Sequence, residues 1–333
     1  MADPNTLRVL SLDGGGTRGI LGATFMKRFV ELWGINPNEI WKYFDVICGT
    51  SIGGIQALGY STGLSPDNII TFMRTQSPWI FSTSSVVPGV RATTFDKLAT
   101  MILGGSFYSN TNFKAALSTQ FGSGVMNSLL TNTVVTSYDY DTNTPVLFSN
   151  VDFPSSTGQN EFISNVALAT SAAPLYLPRA QWPVLETVSD RYLDGACVKN
   201  NPAMLGIAVG KALKLSANRM CVLSVGSGLG DIGFHTVPGG IPPDETNMSF
   251  IFSLLGITIS GAQEVDAESL NLIDQHSADN TYYYRFQSIL DPSQDTEIDN
   301  STSGYFDYMQ GAANDQFDAN IVDITNFLAH LTA

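Results

Sequence analysis

Histidine is scarce in this chain of 333 residues: only His235, His276 and His330 occur. His235 lies in the loop-like DIGFHTV, His276 near the end of a helical pattern, and His330 close to the last residue. None follows a strand in a turn, where a base for nucleophilic chemistry is usually presented, so all three read as structural. Cysteine is equally sparse. Cys48, Cys197 and Cys221 are odd in number, scattered and set in apolar context. That pattern excludes a disulfide framework and a metal cluster, and fits reduced core thiols in a cytoplasmic protein. The opening MADPNTLRVL lacks the basic region and apolar stretch of a secretory signal. Long apolar runs are missing too. The best candidate, FIFSLLGITI at Phe250–Ile259, falls short of the ~18 residues that span a bilayer.

Positive charge runs out along the chain. Residues 1–219 hold 15 Lys/Arg against 14 Asp/Glu, whereas residues 220–333 hold Arg285 alone against 16 Asp/Glu. Such a balance excludes a nucleic-acid polymer as partner and argues against unaided docking of that region to anionic lipid. A solubilising face or a docking surface for a basic partner both fit it.

What the chain does have is apolar residues, 44% against 14% charged, enough for a sizeable core. No repeat or linker interrupts it. The expectation is one domain over residues 1–333, with a motif-bearing core of about 7–230 and an acidic, mainly helical part of about 245–333. Strand-like runs at Leu7–Leu12, Phe44–Cys48, Thr133–Tyr138, Pro145–Asn150, Met220–Val225 and Tyr282–Phe286 alternate with helical patterns. These patterns cover residues 18–34, 52–60, 94–103, 111–121, 161–170, 204–215 and 247–275, and residues 305–331 read as one closing helix. Another helix starts at Ser65-Pro66-Asp67, and residues 79–92 read as a loop. The alternation predicts an α/β fold of three layers, α/β/α, around a mostly parallel sheet.

Three glycines, Gly14–Gly16, separate the first strand from the first helix in LDGGGTRGI. A phosphate-binding P-loop would require a Gly-Lys-Ser/Thr ending that is absent here. A dinucleotide loop is matched in form by Gly14 to Gly19, but the second strand ends in Gly49-Thr50-Ser51 where that fold places a ribose-binding acid. The third possibility is an oxyanion hole. Gly49-Thr50-Ser51-Ile52-Gly53 has the GxSxG form between a strand and a helix, a strained turn that exposes a serine and tolerates only small neighbours. Bare amides of Gly14, Gly15 and Gly16, with Arg18 nearby, could face the charge that an ester attacked by Ser51 would develop. For a base, Asp194 in RYLDGACVKNNPA stands at a strand end; read from the residues alone, a turn aspartate fits equally.

RVLSLDGGGTRG, GTSIGG, TSAAPLYLP and YLDGACVKNNPA, in that order, resemble the blocks of the patatin-like phospholipases, a family of lipid acyl hydrolases. The matching blocks span residues 8 to about 205. The resemblance implies a patatin-like fold and Ser51 as nucleophile. It pairs Ser51 with Asp194 in a Ser-Asp dyad, with the Gly14–Gly16 loop as oxyanion hole. It implies no cofactor and no metal. Ile52 departs from it, since the family usually carries a small alanine after the serine, and a bulky residue there bears on acyl-chain preference. The expected substrate is a membrane phospholipid or other acyl lipid, met by peripheral contact through Phe250–Ile259 or the loop Trp79–Val87. An activator protein or signalling nucleotide, a catalytically silent lipid- or partner-binding member, and a GxGxxG oxidoreductase remain as alternatives.

Overall fold

The computed structural model describes residues 5–182, 191–213, 217–229, 264–276, 280–291 and 293–333. Nine strands occur among them: β1 (Thr6–Leu12), β2 (Val46–Thr50), β3 (Asn132–Asp139), β4 (Thr144–Ser149), β5 (Ser156–Thr157), β6 (Ala180–Gln181), β7 (Arg191–Asp194), β8 (Arg219–Val225) and β9 (Thr281–Phe286). They form one sheet in the order β5-β4-β3-β2-β1-β8-β9, with β7 joined to β3 and β6. The five strands from β3 to β9 are mutually parallel. β4 and β7 run antiparallel to β3.

The helices are α1 (Gly19–Trp33), α2 (Ile52–Ser61), α3 (Pro66–Ile80), α4 (Thr94–Leu103), α5 (Thr111–Phe121), α6 (Ile163–Thr170), α7 (Ala203–Leu213), α8 (residues 264–276), α9 (Ser303–Ala319) and α10 (Ile321–Thr332). They lie on both faces of the sheet. Along β1, Leu10 and Leu12 enter one core with Phe25 of α1 and Ile55 of α2. Leu7 and Val9 enter another with Ile207 of α7 and Leu270 of α8. This alternation is the period-two geometry of a strand covered on both faces. The expected three-layer α/β/α arrangement with a mostly parallel sheet is therefore present.

Local chemistry sets the helix ends. α1 stops at Gly34, whose φ of 72° lets its amide return to Val30 and Glu31 carbonyls. α3 starts on a capping box between Ser65 and Asn68, with Pro66 in its first turn. Three expectations need correction. α3 continues to Ile80 through Pro78, so the loop begins later than residue 79. β2 runs from Val46 to Thr50, shifted two residues toward the C-terminus from the apolar run Phe44–Cys48. The closing helix is two helices, because Asn320, at φ −112° and ψ 16°, steps out of helical geometry between α9 and α10. Phe250–Ile259 and the first part of the 247–275 pattern lie outside the described residues, as does His235.

Register explains where the chemistry collects. β2 pairs with β3 up to Thr50 opposite Thr136. β4 occupies the other edge of β3 as far as Asp139. β7 therefore takes the β2 edge, with Asp194 opposite Ser137. Two strands thus meet end to end on one edge of β3, and the residues at the junction are Ser51 and Asp194.

Candidate active site

Ser51 follows the last residue of β2 and caps α2 with φ 55° and ψ −126°, a conformation that costs a non-glycine residue on the order of 1–3 kcal/mol. Its neighbours permit the turn. A Cβ on Gly49 would run into the Gly53 backbone, and one on Gly53 into the Leu12 carbonyl. The Ser51 amide donates to Thr170 Oγ1 at 2.8 Å, which pins the strained residue from outside the motif. Its hydroxyl donates to Asp194 Oδ2 at 2.7 Å. The other carboxylate oxygen, Oδ1, accepts the Ala196 amide at 2.8 Å.

Both side chains are buried. Burial pushes the Asp194 carboxyl up to about 7, with the Ala196 amide and the Ser51 hydroxyl opposing the shift. A carboxylate tuned there can accept a proton near neutral pH, as a general base must. Thr50 and Thr136 hydroxyls, 2.7 Å apart, tie the two strand ends below it, and Thr50 also donates to the Lys199 carbonyl.

The glycine loop lies against this pair. A Cβ on Gly14 would come within 3.1 Å of Ser51 Cβ. The Gly14 amide is already engaged, donating to the Asn200 carbonyl at 3.3 Å, and the Gly14 carbonyl accepts the Ser227 hydroxyl at 2.6 Å. Gly14 is thus an anchor, a correction to its expected place among the free donors. The amides of Gly15 and Gly16 make no hydrogen bond among the described residues. Gly16 has φ 58°, and the next residue, Thr17, donates its amide to the Ile298 carbonyl at 2.9 Å. Arg18 is buried with its Nε unpaired among the described residues. Burial holds its pKa below the usual guanidinium value.

Ser51, Asp194, Gly15, Gly16 and Arg18 line one cleft, walled by Ile52, Ile55, Phe72, Met73, Phe113 and Leu177. Ile52 packs against Gly19, which has no side chain to oppose it. Cys197 also lines the cleft; burial raises its thiol to about 12 and that of Cys48 also to about 12, so both are protonated at neutral pH. Among the described residues no cluster of three His, Cys, Asp or Glu could hold a metal. His330 stacks on Tyr282 at 3.7 Å between ring centres, and His276 is exposed on α8; neither lines the cleft. Thr170, Asn200, Ser227 and Ile298 were not singled out from sequence. Two of them begin or lie within recognised blocks, TSAAPLYLP and YLDGACVKNNPA, and a polar residue there was the available signal.

A family model described as patatin-like phospholipase matches residues 10–207, more than half of the chain. The chain belongs to the patatin-like phospholipase family. Patatin-like protein 4 of Arabidopsis thaliana is 28% identical over 215 residues, covering 61% of this patatin-like chain and 52% of the relative. Patatin-2-Kuras 3 of Solanum tuberosum is 25% identical over 322 residues, covering 88% and 79%. The cGAMP-activated phospholipase of Vibrio cholerae is 30% identical over 210 residues, covering 61% and 57%. The chain spans a little over half the length of Patatin-like protein 4 and of the Vibrio relative. Among solved structures, human GIVD cytosolic phospholipase A2 aligns over 99% of this chain and 61% of its own, with a TM-score of 0.49 and 9% identity. No helix among the described residues is long and apolar enough to cross a membrane.

Proposed function

We propose that this patatin-like protein is a lipid acyl hydrolase that cleaves carboxylic esters through a Ser51 acyl-enzyme. The observation that carries the reading is the 2.7 Å hydrogen bond from Ser51 to Asp194 in an apolar cleft, beside the Gly15 and Gly16 amides, which have no partner among the described residues.

Ionised Asp194 takes the hydroxyl proton as Ser51 Oγ attacks the ester carbonyl. The carbonyl π electrons move onto oxygen, and the Gly15 and Gly16 amides receive that charge. Such donors are worth roughly 10²–10³ in rate each. Collapse expels the alcohol, which leaves with the proton from Asp194. Water, deprotonated by Asp194, then attacks the acyl carbon; the proton passes from Asp194 to the departing Ser51 Oγ, and the fatty acid and free Ser51 are released. The apolar walls suit an acyl chain. Trp79, Val86 and Val87, all exposed beside the cleft-lining Ile80 and Phe81, fit a peripheral contact with a lipid surface.

A second reading, activation by another molecule, is favoured by the similarity to the Vibrio cholerae relative, a cGAMP-activated phospholipase. The test compares hydrolysis of a short-chain p-nitrophenyl ester and of phosphatidylcholine vesicles by wild type, Ser51→Ala and Asp194→Ala. Loss in both folded variants supports the dyad. Survival of Asp194→Ala sinks Asp194 as the base, and a wild type active only with an added cyclic dinucleotide supports the second reading.

A further inference from the structure

Arg285 is the lone Lys or Arg in residues 220–333, and the fold spends it in the interior. Its Nη2 donates to Asp13 Oδ2 at 2.7 Å and its Nη1 to Ser224 Oγ at 2.8 Å. The Arg285 side chain is 10% exposed and that of Asp13 fully covered. The contact follows from register. Arg285 pairs with Ser224 and Ser224 with Ser11, and Asp13, two residues on, faces the same side.

Asp13 is the last residue before Gly14. Stability does not account for the pair, because a buried ion pair is often no better than apolar residues of the same size. Here the arrangement is also incomplete: Asp13 Oδ1 has no hydrogen-bond partner among the described residues. What the pair does have is position. Asp13 donates its amide to the Val225 carbonyl, Gly14 is fixed to Asn200 and Ser227, and Arg285 holds the one charged side chain at the root of the loop.

We propose that Arg285 is a positioning residue for the glycine loop: it pins and neutralises Asp13, so that the Gly15 and Gly16 amides stay aimed at the cleft and no bare carboxylate opposes the oxyanion. This rests on the reading of Ser51 as the nucleophile. Among the described residues, the charged and titratable groups facing Asp13 are Arg285 and Tyr283 from β9, Glu264 and Asp266 from α8, and Cys48 from β2. Arg285 is the only cation among them. Burial places the Asp13 carboxyl at about 6, with Arg285 opposing the rise. Without the guanidinium, Glu264 and Asp266 push it higher. Asp13 would then ionise at a higher pH than in wild type, in the range where Asp194 also becomes ionised.

The experiment is the pH profile of kcat and KM for a soluble p-nitrophenyl ester. Wild type is expected to rise to an alkaline plateau. Folded Arg285→Met should instead show a falling alkaline limb, about tenfold below wild type, less than the 10²–10³ of an outright lost donor. The loss should lie in kcat, since it acts on the transition state. Asp13→Asn in the Arg285→Met background should remove the limb, and Arg285→Lys should largely avoid it. If Arg285→Met does not fold, Arg285→Gln keeps a donor toward Asp13 without the charge and reads the same limb. A wild-type plateau in these variants, or a loss that Asp13→Asn does not recover, overturns the role of Arg285. Hydrolysis unchanged by Ser51→Ala would instead overturn the nucleophile.

Discussion

Ser51 and Asp194 lie 143 residues apart in sequence, and the Ser51 hydroxyl donates to Asp194 Oδ2 at 2.7 Å. Their meeting depends on β7 taking over the edge of β3 where β2 leaves it. The same junction buries the carboxylate, and burial is the first cause of its raised pKa. Position and basicity therefore have one structural origin.

The pH dependence follows directly. As the proposed base, Asp194 must be ionised to accept the Ser51 proton, and its carboxyl titrates at about 7. Hydrolysis of a soluble ester is expected to fall about tenfold per pH unit below that value and to level off above it. Asp194→Ala should lose on the order of 10²–10⁴ in kcat, the usual worth of general-base assistance. A profile flat from pH 5 to 8 would count against this carboxylate as the base.

Stability should run the other way. Asp194 is raised from 3.8 to about 7 in the folded protein, so the folded state holds a proton that the unfolded chain releases. Stability is then full below about 4 and is lost as pH rises toward 7. The penalty at higher pH is on the order of 4 kcal/mol as an upper bound. Asp194→Asn is expected to melt above wild type at pH 8, with the gap closing toward pH 4. Melting curves at several pH values read this, and a gap that widens on acidification would refute it.

Much of this site was legible because its chemistry is local. Glycines at Gly14–Gly16, Gly49 and Gly53 mark backbone that no side chain could share, and Asp194-Gly195 marks a strand end. The partners that finish the site were not legible. Thr170 reaches Ser51 from 119 positions away, Arg285 reaches Asp13 from 272, and Ile298 receives Thr17 from 281. Each contributes a polar atom whose distant partner no local pattern names, and only the folded sheet brings the two together. The break at Asn320 was hidden for another reason. Apolar spacing continues through it, while one residue's ψ of 16° redirects the chain.

Ile52 tests the departure after the serine. It is 7% exposed, lines the cleft and fills the space above Gly19. Ile52→Ala should widen the cleft next to Ser51. Selectivity between acyl chains differing in bulk is expected to shift by roughly 10–200-fold toward the bulkier ester, the range for small changes in an apolar pocket. Some stability is lost as well, about 2 kcal/mol or more for a buried Ile truncated to Ala. A series of p-nitrophenyl esters compared by kcat/KM decides the point, and an unchanged order would remove Ile52 from the specificity wall.

The segment Asp295–Asp299 gives a last prediction, one that links stability to the site. Arg91 donates to Asp295 at 2.6 Å, to Asp299 at 2.7 Å and also to Glu297, and Asp299 is fully buried. Tyr108 donates to the other Asp299 oxygen at 2.6 Å. Ile298, held inside this cluster, accepts both the amide and the hydroxyl of Thr17, one residue from Gly16. Arg91→Met should leave buried Asp299 with only Lys97, 3.6 Å away, as counter-charge among the described residues, at a cost below the about 3–5 kcal/mol of a fully broken buried pair. By contrast, breaking the exposed Lys27–Asp67 pair, with side chains 39% and 59% exposed, should cost under ~1 kcal/mol and fade with salt. If the segment supports the glycine loop, folded Arg91→Met also loses hydrolysis while Lys27→Ala does not. Equal melting shifts in the two variants would mean that the Arg91 cluster is only a surface network, and the loop would then owe its position to Asn200, Ser227 and Asp13 alone.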